Sequence, residues 1–204
     1  MNLKTIMTFM GVTIGILVGV GALLWQFGSG AAKPLDDVAG EMRLKRGEGS
    51  VVVVEFSDFQ CPACASIHQP LKQVLAKFEG KVTYIHRHFP LTSIHKNALS
   101  ASQAAEAAHN QGKFFEYGDV LFAKQSEWEG LANPTDVYVA YAKELGMDTA
   151  KFESDLKSNE VAERVSTDMI YANRHAMSGT PTFFVNGVQT DFTNLETRLL
   201  ELTK

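Results

Sequence analysis

Residues 51–64 read Val-Val-Val-Val-Glu-Phe-Ser-Asp-Phe-Gln-Cys-Pro-Ala-Cys, and the interpretation of the chain starts from them. The unbroken β-branched run at 51–56 predicts a strand that is covered on both faces of a sheet. Pro62 suits the first turn of a helix, where its missing N–H is not needed. The stretch therefore predicts a strand followed by a helix, with Cys61 at the helix start and Cys64 one turn further in.

The helix that starts near Cys61 carries one apolar stripe. Its members recur at helical spacing: Ile67, Leu71, Val74, Leu75 and Phe78. Pro70 lies inside the stripe and is expected to kink the helix, which should end by Gly80. A second strand is predicted at residues 82–89, so the strand–helix–strand unit should form a parallel pair with a right-handed crossover.

The rest of the chain predicts a helical block and a closing hairpin. Residues 42–46 fit a short edge strand. Residues 97 to about 174 are rich in Ala and predict roughly four helices, broken near Gly112, residues 130–134, Gly146 and Ser158. Residues 182–185 and 188–189 flank Asn186-Gly187, which predicts a hairpin with a type I′ turn. A closing helix is expected at 193–202.

The amino-terminal segment has a separate character. Residues 5–27 contain no charged side chain and, as a helix, would span roughly 34 Å, enough to cross a bilayer. We expect residues 1–30 to be an uncleaved membrane anchor, with cleavage of a signal segment near Ala32 as the alternative. Gly11, Gly15 and Gly19 fall on one face of this segment, so a homodimer within the membrane is possible. Residues 31–49 are expected to form a linker and the edge strand.

The composition excludes one class of partner, and the cysteines suggest a chemistry. The formal net charge is −4, with no basic excess that would indicate nucleic-acid binding. The only two cysteines are Cys61 and Cys64. Helix N–H groups and the positive end of the helix dipole would stabilise a thiolate on Cys61, while Cys64 is placed to attack a mixed disulfide. The pair therefore predicts a nucleophilic and a resolving thiol.

Two other uses of the cysteines remain open at this point. A structural disulfide across so short a loop would contribute only about 2 kcal/mol. A zinc site would use His68, which shares the helical face of the cysteines, but no second pair of ligands with suitable spacing follows. We expect no metal and no cofactor, and His68 is interpreted as a surface or satisfied histidine.

Three motifs together resemble a known family. They are Glu-Phe-Ser-Asp-Phe-Gln-Cys-Pro-Ala-Cys at 55–64, Arg-His-Phe-Pro-Leu at 87–91 and Gly-Thr-Pro-Thr-Phe-Phe-Val-Asn-Gly at 179–187. Residues 42–204 resemble the DsbA-like thiol:disulfide oxidoreductases of the thioredoxin superfamily. The resemblance implies an α/β thioredoxin-like fold at 50–204, with a helical insertion at about 95–175.

The resemblance also implies roles for particular residues. Pro181 is expected to be cis and to pack beside the CxxC pair, with Gly179 and Thr180 framing the substrate groove. Glu55 is expected to be a buried acid with a raised pKa that exchanges a proton with Cys64. A paired structural carboxylate is the alternative for Glu55.

These observations lead to one functional hypothesis with two alternatives. The main hypothesis is an oxidase that introduces disulfides into cysteine-containing exported proteins and is recycled by a membrane redox partner. The catalytic domain would lie outside the cytoplasm, where structural disulfides persist. A reductase or isomerase of the same fold is one alternative, because Pro-Ala between the cysteines does not set the redox potential. A non-catalytic thioredoxin-like binding module is the other.

Overall fold

A computed structural model describes residues 37–204. In chain order its elements are β1 (Lys45–Arg46), β2 (Val51–Ser57), α1 (Pro62–Ala76), β3 (Val82–His88), α2 (Ala98–His109), α3 (Phe114–Ala123), α4 (Gln125–Trp128), α5 (Thr135–Glu144), α6 (Thr149–Leu156), α7 (Asn159–Arg174), β4 (Thr182–Val185), β5 (Val188–Gln189) and α8 (Phe192–Leu202). The predicted anchor, its glycine face and the alternative cleavage point near Ala32 lie outside the described residues. Within 37–204, no helix is both long and apolar enough to cross a membrane.

A mixed five-stranded sheet forms the centre of the domain, with strand order β1-β3-β2-β4-β5. β2 pairs with β3 in parallel, as the strand–helix–strand pattern predicted, and with β4 in antiparallel orientation. β1 is the predicted edge strand, although it covers only two residues. Asn186 and Gly187 both have positive φ, which a type I′ hairpin turn requires. The thioredoxin-like fold with a helical insertion is therefore confirmed.

The active-site helix α1 packs its apolar stripe against one face of the sheet. Leu71 and Phe78 from this region are buried with strand residues Val53 and Val185, together with Leu199 of α8. The helix continues through Pro70 to Ala76. Full burial of each such side chain stabilises the fold by about 1.5–3 kcal/mol. This packing fixes the start of α1, and with it the two cysteines, relative to β2.

The insertion contains six helices within the described chain, so the expectation of roughly four was wrong. Breaks occur at the predicted glycine and proline positions, but the chain also breaks at Lys124, between α3 and α4. The physical reason is Trp128, whose ring is fully buried and whose Nε1 donates a hydrogen bond to the Leu121 carbonyl 3.0 Å away. A straight helix would not bring Trp128 to this place.

A buried ionic network joins the segment before β1 to the helical insertion. The carboxylate of Glu106, which is fully buried on α2, accepts hydrogen bonds from Arg43, from His88 Nε2 at 3.0 Å and from Arg164 Nε at 3.0 Å. Asp168 on α7 forms a second centre, with Arg87 Nε 2.8 Å away. Because these residues come from four different parts of the chain, the network fixes the helices against the sheet edge.

Candidate active site

The two cysteines lie at the junction of β2 and α1. Cys61 is the residue before the first helical position, and its backbone N–H donates to the Asp58 carbonyl at 3.0 Å. Both residues are free thiols in this structure. Cys61 is 7% exposed and Cys64 is 1% exposed, so the first is the one a partner reaches. This matches the division into an attacking and a shielded thiol.

The surroundings of Cys61 favour its thiolate. A hydrogen bond from Cys64 is the largest cause that lowers the pKa of Cys61, and the N–H groups of Cys64 and Ala63 add to it. Partial burial opposes them, and the net result is a pKa of about 5. A thiol with this pKa is almost fully ionised at neutral pH, and is therefore a ready nucleophile and leaving group.

The surroundings of Cys64 have the opposite effect. Burial, the hydrogen bond with Cys61 and the charges of Glu55 and Cys61 all raise the pKa of Cys64. Glu55 lies on β2, is 3% exposed and accepts a hydrogen bond from the Tyr84 hydroxyl at 2.5 Å. Burial raises the pKa of Glu55, more than the bond from Tyr84 lowers it. A buried acid with a raised pKa therefore lies close to the thiol that needs a proton.

The loop before β4 forms the other side of the site. The Thr180–Pro181 peptide bond is cis, as the resemblance implied. Cys61 Sγ lies 3.4 Å from the Thr180 carbonyl oxygen, which places this loop directly beside the more exposed thiol. At Gly179 the space where a Cβ would lie is open. The structure thus brings all six predicted site residues, from the β2–α1 junction and the β4 loop, into one region.

Asp58, to which sequence reasoning gave no definite role, anchors the active-site loop. Its carboxylate is fully buried and accepts hydrogen bonds from Gln60 N at 2.7 Å, Leu91 N at 2.9 Å and His95 Nδ1 at 2.7 Å. The loop before α1 is thereby tied to the loop that follows β3. Asp58 stands only three residues before Cys61, but nothing in the sequence indicated Leu91 and His95 as its partners.

Replacing Asp58 with Asn should destabilise the domain by about 2 kcal/mol, because an amide NH2 would face a backbone N–H and leave it without an acceptor. The free energy of unfolding from urea denaturation measures this. Glu153→Gln removes a carboxylate from an exposed position and is the matched control. Equal stability of the Asp58 and Glu153 variants would contradict the anchoring role.

His68 is a satisfied histidine, as predicted. Its Nε2 lies 2.7 Å from an oxygen of Asp119, and Lys72 Nζ contacts the other oxygen at 2.6 Å. The His68 imidazole therefore hydrogen-bonds to a residue of α3 and not to the cysteines. In residues 37–204 no group of three or more His, Cys, Asp or Glu side chains is placed to hold a metal ion.

Comparison with curated proteins finds relatives that are much longer than this chain. The Na(+)/H(+) antiporter NhaA 1 of Salinispora arenicola is 40% identical over 154 residues, which are 76% of this chain and 22% of the antiporter. The Na(+)/H(+) antiporter NhaA 3 of Salinispora tropica has the same identity over the same shares. The chain spans about a fifth of the length of these relatives.

Comparison with solved structures finds the same fold. BdbD from Bacillus subtilis superposes with a TM-score of 0.70 at 20% identity, covering 84% of this chain and 96% of BdbD. The thiol-disulfide exchange protein alpha-DsbA2 from Wolbachia pipientis gives 0.69 at 22% identity, covering 82% and 90%. The family model Thioredoxin_4, described as thioredoxin, matches residues 40–201. The chain therefore belongs to the thioredoxin family, in the DsbA-like form of its fold.

Proposed function

We propose that this chain is a thiol–disulfide oxidoreductase that introduces disulfides into exported proteins. The observation that carries the proposal is the contrast between the two thiols. Cys61 is stabilised as a thiolate by the hydrogen bond from Cys64, while Cys64 itself is buried next to Glu55. The contrast gives one sulfur that exchanges with partners and one that stays internal.

The proposed reaction moves two electrons from a substrate dithiol to the Cys61–Cys64 disulfide. A substrate thiolate attacks Cys61 Sγ, the bond between the two cysteines breaks, and Cys64 leaves as a thiolate that takes a proton from Glu55. The second substrate thiolate then attacks the substrate sulfur of the mixed disulfide, and Cys61 leaves as a thiolate. The substrate is oxidised, the CxxC pair is reduced, and a membrane redox partner must reoxidise it.

The low pKa of Cys61 favours the oxidising direction. A stabilised thiolate lowers the free energy of the reduced protein, and so makes the disulfide form a stronger oxidant. Known potentials range from about −120 mV for a strong oxidant to about −270 mV for thioredoxin. The lowered pKa of Cys61 supports placing this chain nearer the first value.

The reactivity of Cys61 should follow this pKa. Reaction of the reduced protein with iodoacetamide between pH 3 and 9 is expected to show a midpoint near 5. Cys64→Ala is the matched variant, and it should raise the midpoint because it removes the hydrogen bond that contributes most. A wild-type midpoint near 8.5, the value of an unperturbed cysteine, would show that Cys61 is not activated.

Equilibrium with glutathione separates the oxidase from the reductase or isomerase. We expect a potential above about −200 mV, read from the fraction of reduced protein at defined ratios of reduced to oxidised glutathione. A potential below about −250 mV would assign the chain to the reductases. This measurement is independent of the identity of the substrates.

We also propose a location for the reaction. The domain would act outside the cytoplasm, because structural disulfides persist there. The apolar residues 5–27 would anchor it to the membrane, near a membrane redox partner that accepts electrons from the reduced pair. Labelling of Cys61 in intact cells by a thiol reagent that does not cross membranes tests this location. Labelling only after lysis would contradict it.

A further inference from the structure

If Glu55 acts as proposed, protons have to move between its buried carboxylate and water. Reduction of the Cys61–Cys64 disulfide removes the proton of Glu55, and the resulting carboxylate lies almost entirely out of contact with solvent. In the described part of the chain, the side chain that donates a hydrogen bond to it is Tyr84, on the neighbouring strand β3. A route for protons between Glu55 and water therefore has to be sought around Tyr84.

Tyr84 lines a cavity of about 430 Å³ between α1, β3 and α3. Aromatic rings form much of its wall, among them Phe59, Phe114 and Phe122. Its rim includes Arg46 and Glu79, which are exposed, so water can enter from the surface. At about 30 Å³ per molecule, the cavity has room for several waters.

One wall of the cavity is polar enough to hold water. His68, Lys72 and Asp119 line it and are linked to one another by short hydrogen bonds. Tyr84 thus donates a hydrogen bond to the buried acid and lines a cavity that can hold water.

We propose that Tyr84 is a positioning residue that passes protons between this cavity and Glu55. The Tyr84 hydroxyl gives its proton to the Glu55 carboxylate and takes one from a water in the cavity, which regains a proton from solvent, so the net change is one proton moved from solvent to Glu55. The inference rests on the proposed function, because it supplies the proton that Cys64 consumes. It adds a residue and an entry path to that reaction.

The charges around the pair are consistent with this role. The titratable groups around Glu55 and Tyr84 come from four elements. They are Cys64 and His68 on α1, His86 beside Glu55 on β3, Arg46 on β1 and, through His68, Asp119 on α3. Burial and the Glu55 charge hold the pKa of Tyr84 well above its usual value. The phenol therefore stays protonated and remains a donor to the carboxylate.

The test replaces Tyr84 with Phe, which keeps the ring and removes only the hydroxyl. The steady-state rate at which the protein oxidises a peptide with two cysteines should fall about tenfold near neutral pH, since positioned proton transfer contributes at least that much. The pKa of Glu55, followed by infrared titration of its carboxyl band, should rise, because the hydrogen bond from Tyr84 lowers it. A hydrogen bond with no proton transfer would shift the pKa of Glu55 but leave the maximal rate unchanged, so the fall in rate is the readout of proton transfer.

Tyr141→Phe is the matched control. It removes a similar hydrogen bond, from Tyr141 to Glu127 at 2.9 Å, away from the cysteines, and should leave the rate and its pH profile unchanged. In a Glu55→Gln background, Tyr84→Phe should have little further effect on the rate, because the two residues act in one step.

The outcomes separate the two proposals. A Tyr84→Phe protein with the wild-type rate overturns the proton-transfer role of Tyr84, whether or not its Glu55 titration is shifted. A wild-type protein that exchanges no disulfides contradicts the proposed function. In that case the infrared titration of Glu55 in the two proteins still tests the role of Tyr84, because an unchanged pKa of Glu55 would overturn it.

Discussion

Replacing Cys61 with serine is expected to lower the rate of thiol–disulfide exchange by at least a factor of about a thousand. The hydroxyl of serine is not ionised at neutral pH and cannot form a disulfide, so the reaction loses its only accessible sulfur. The rate is measured as the oxidation of a reduced peptide with two cysteines in the presence of glutathione disulfide.

Cys64→Ser is the variant that makes this result specific. It keeps the nucleophile but removes the internal thiol, so Cys61 should accumulate as a mixed disulfide with the peptide or with glutathione, visible by mass spectrometry. A Cys61→Ser protein that keeps more than about a tenth of the wild-type rate of peptide oxidation would contradict the proposed mechanism. A mixed disulfide that forms on Cys64 in the Cys61→Ser protein would contradict the mechanism as well.

The second large effect concerns stability. Glu106→Ala should lower the free energy of unfolding by about 3–5 kcal/mol, since it leaves His88 and the guanidinium groups of Arg43 and Arg164 without the buried carboxylate that they share. Urea denaturation at pH 7 measures the loss. Glu153→Ala, at an exposed position, should change stability by less than about 0.5 kcal/mol.

The same carboxylate gives stability a defined pH dependence. Burial alone would raise the pKa of Glu106, but the hydrogen bond from His88 and the charges of His88, Arg43 and Arg164 lower it to about 2. The ionised form therefore stabilises the folded protein above pH 4.5, and this contribution is lost as the pH falls towards 2. Wild type and Glu106→Ala should converge in stability over that range. A constant difference between them down to pH 2 would contradict the assignment.

Local patterns predicted the parts of the fold that local patterns control. The valines of β2, the helical spacing of Leu71 and Phe78, and Asn186-Gly187 each determine a conformation within a few residues, and each prediction was confirmed. The breaks at Gly112 and Gly146 were found for the same reason, because both residues adopt positive φ.

The missed features depend on residues that are distant in sequence. The break at Lys124 exists because Trp128 is buried, and no local signal marks that burial in advance. In the same way, the hydrogen bond from Tyr84 to Glu55 joins two neighbouring strands that are separated in the sequence by α1. The alternation of β3 places Tyr84 on a definite face, but the partner follows only from the register in which Glu55 lies beside His86.

The order of the strands has a consequence for how the domain is made. In the sheet, β2 lies between β3 and β4. In the chain, β3 follows β2 after one helix, whereas β4 comes only after six further helices. During synthesis β2 can pair with β3 early, but its other edge stays open until the residues paired with it, such as Val185 opposite Val53, have emerged. Pairing over so long a separation is slow, because a large loop must close first. The nascent chain would therefore carry both thiols before the peptide segment around Thr180 is made, and would become a competent redox partner only after that segment has emerged.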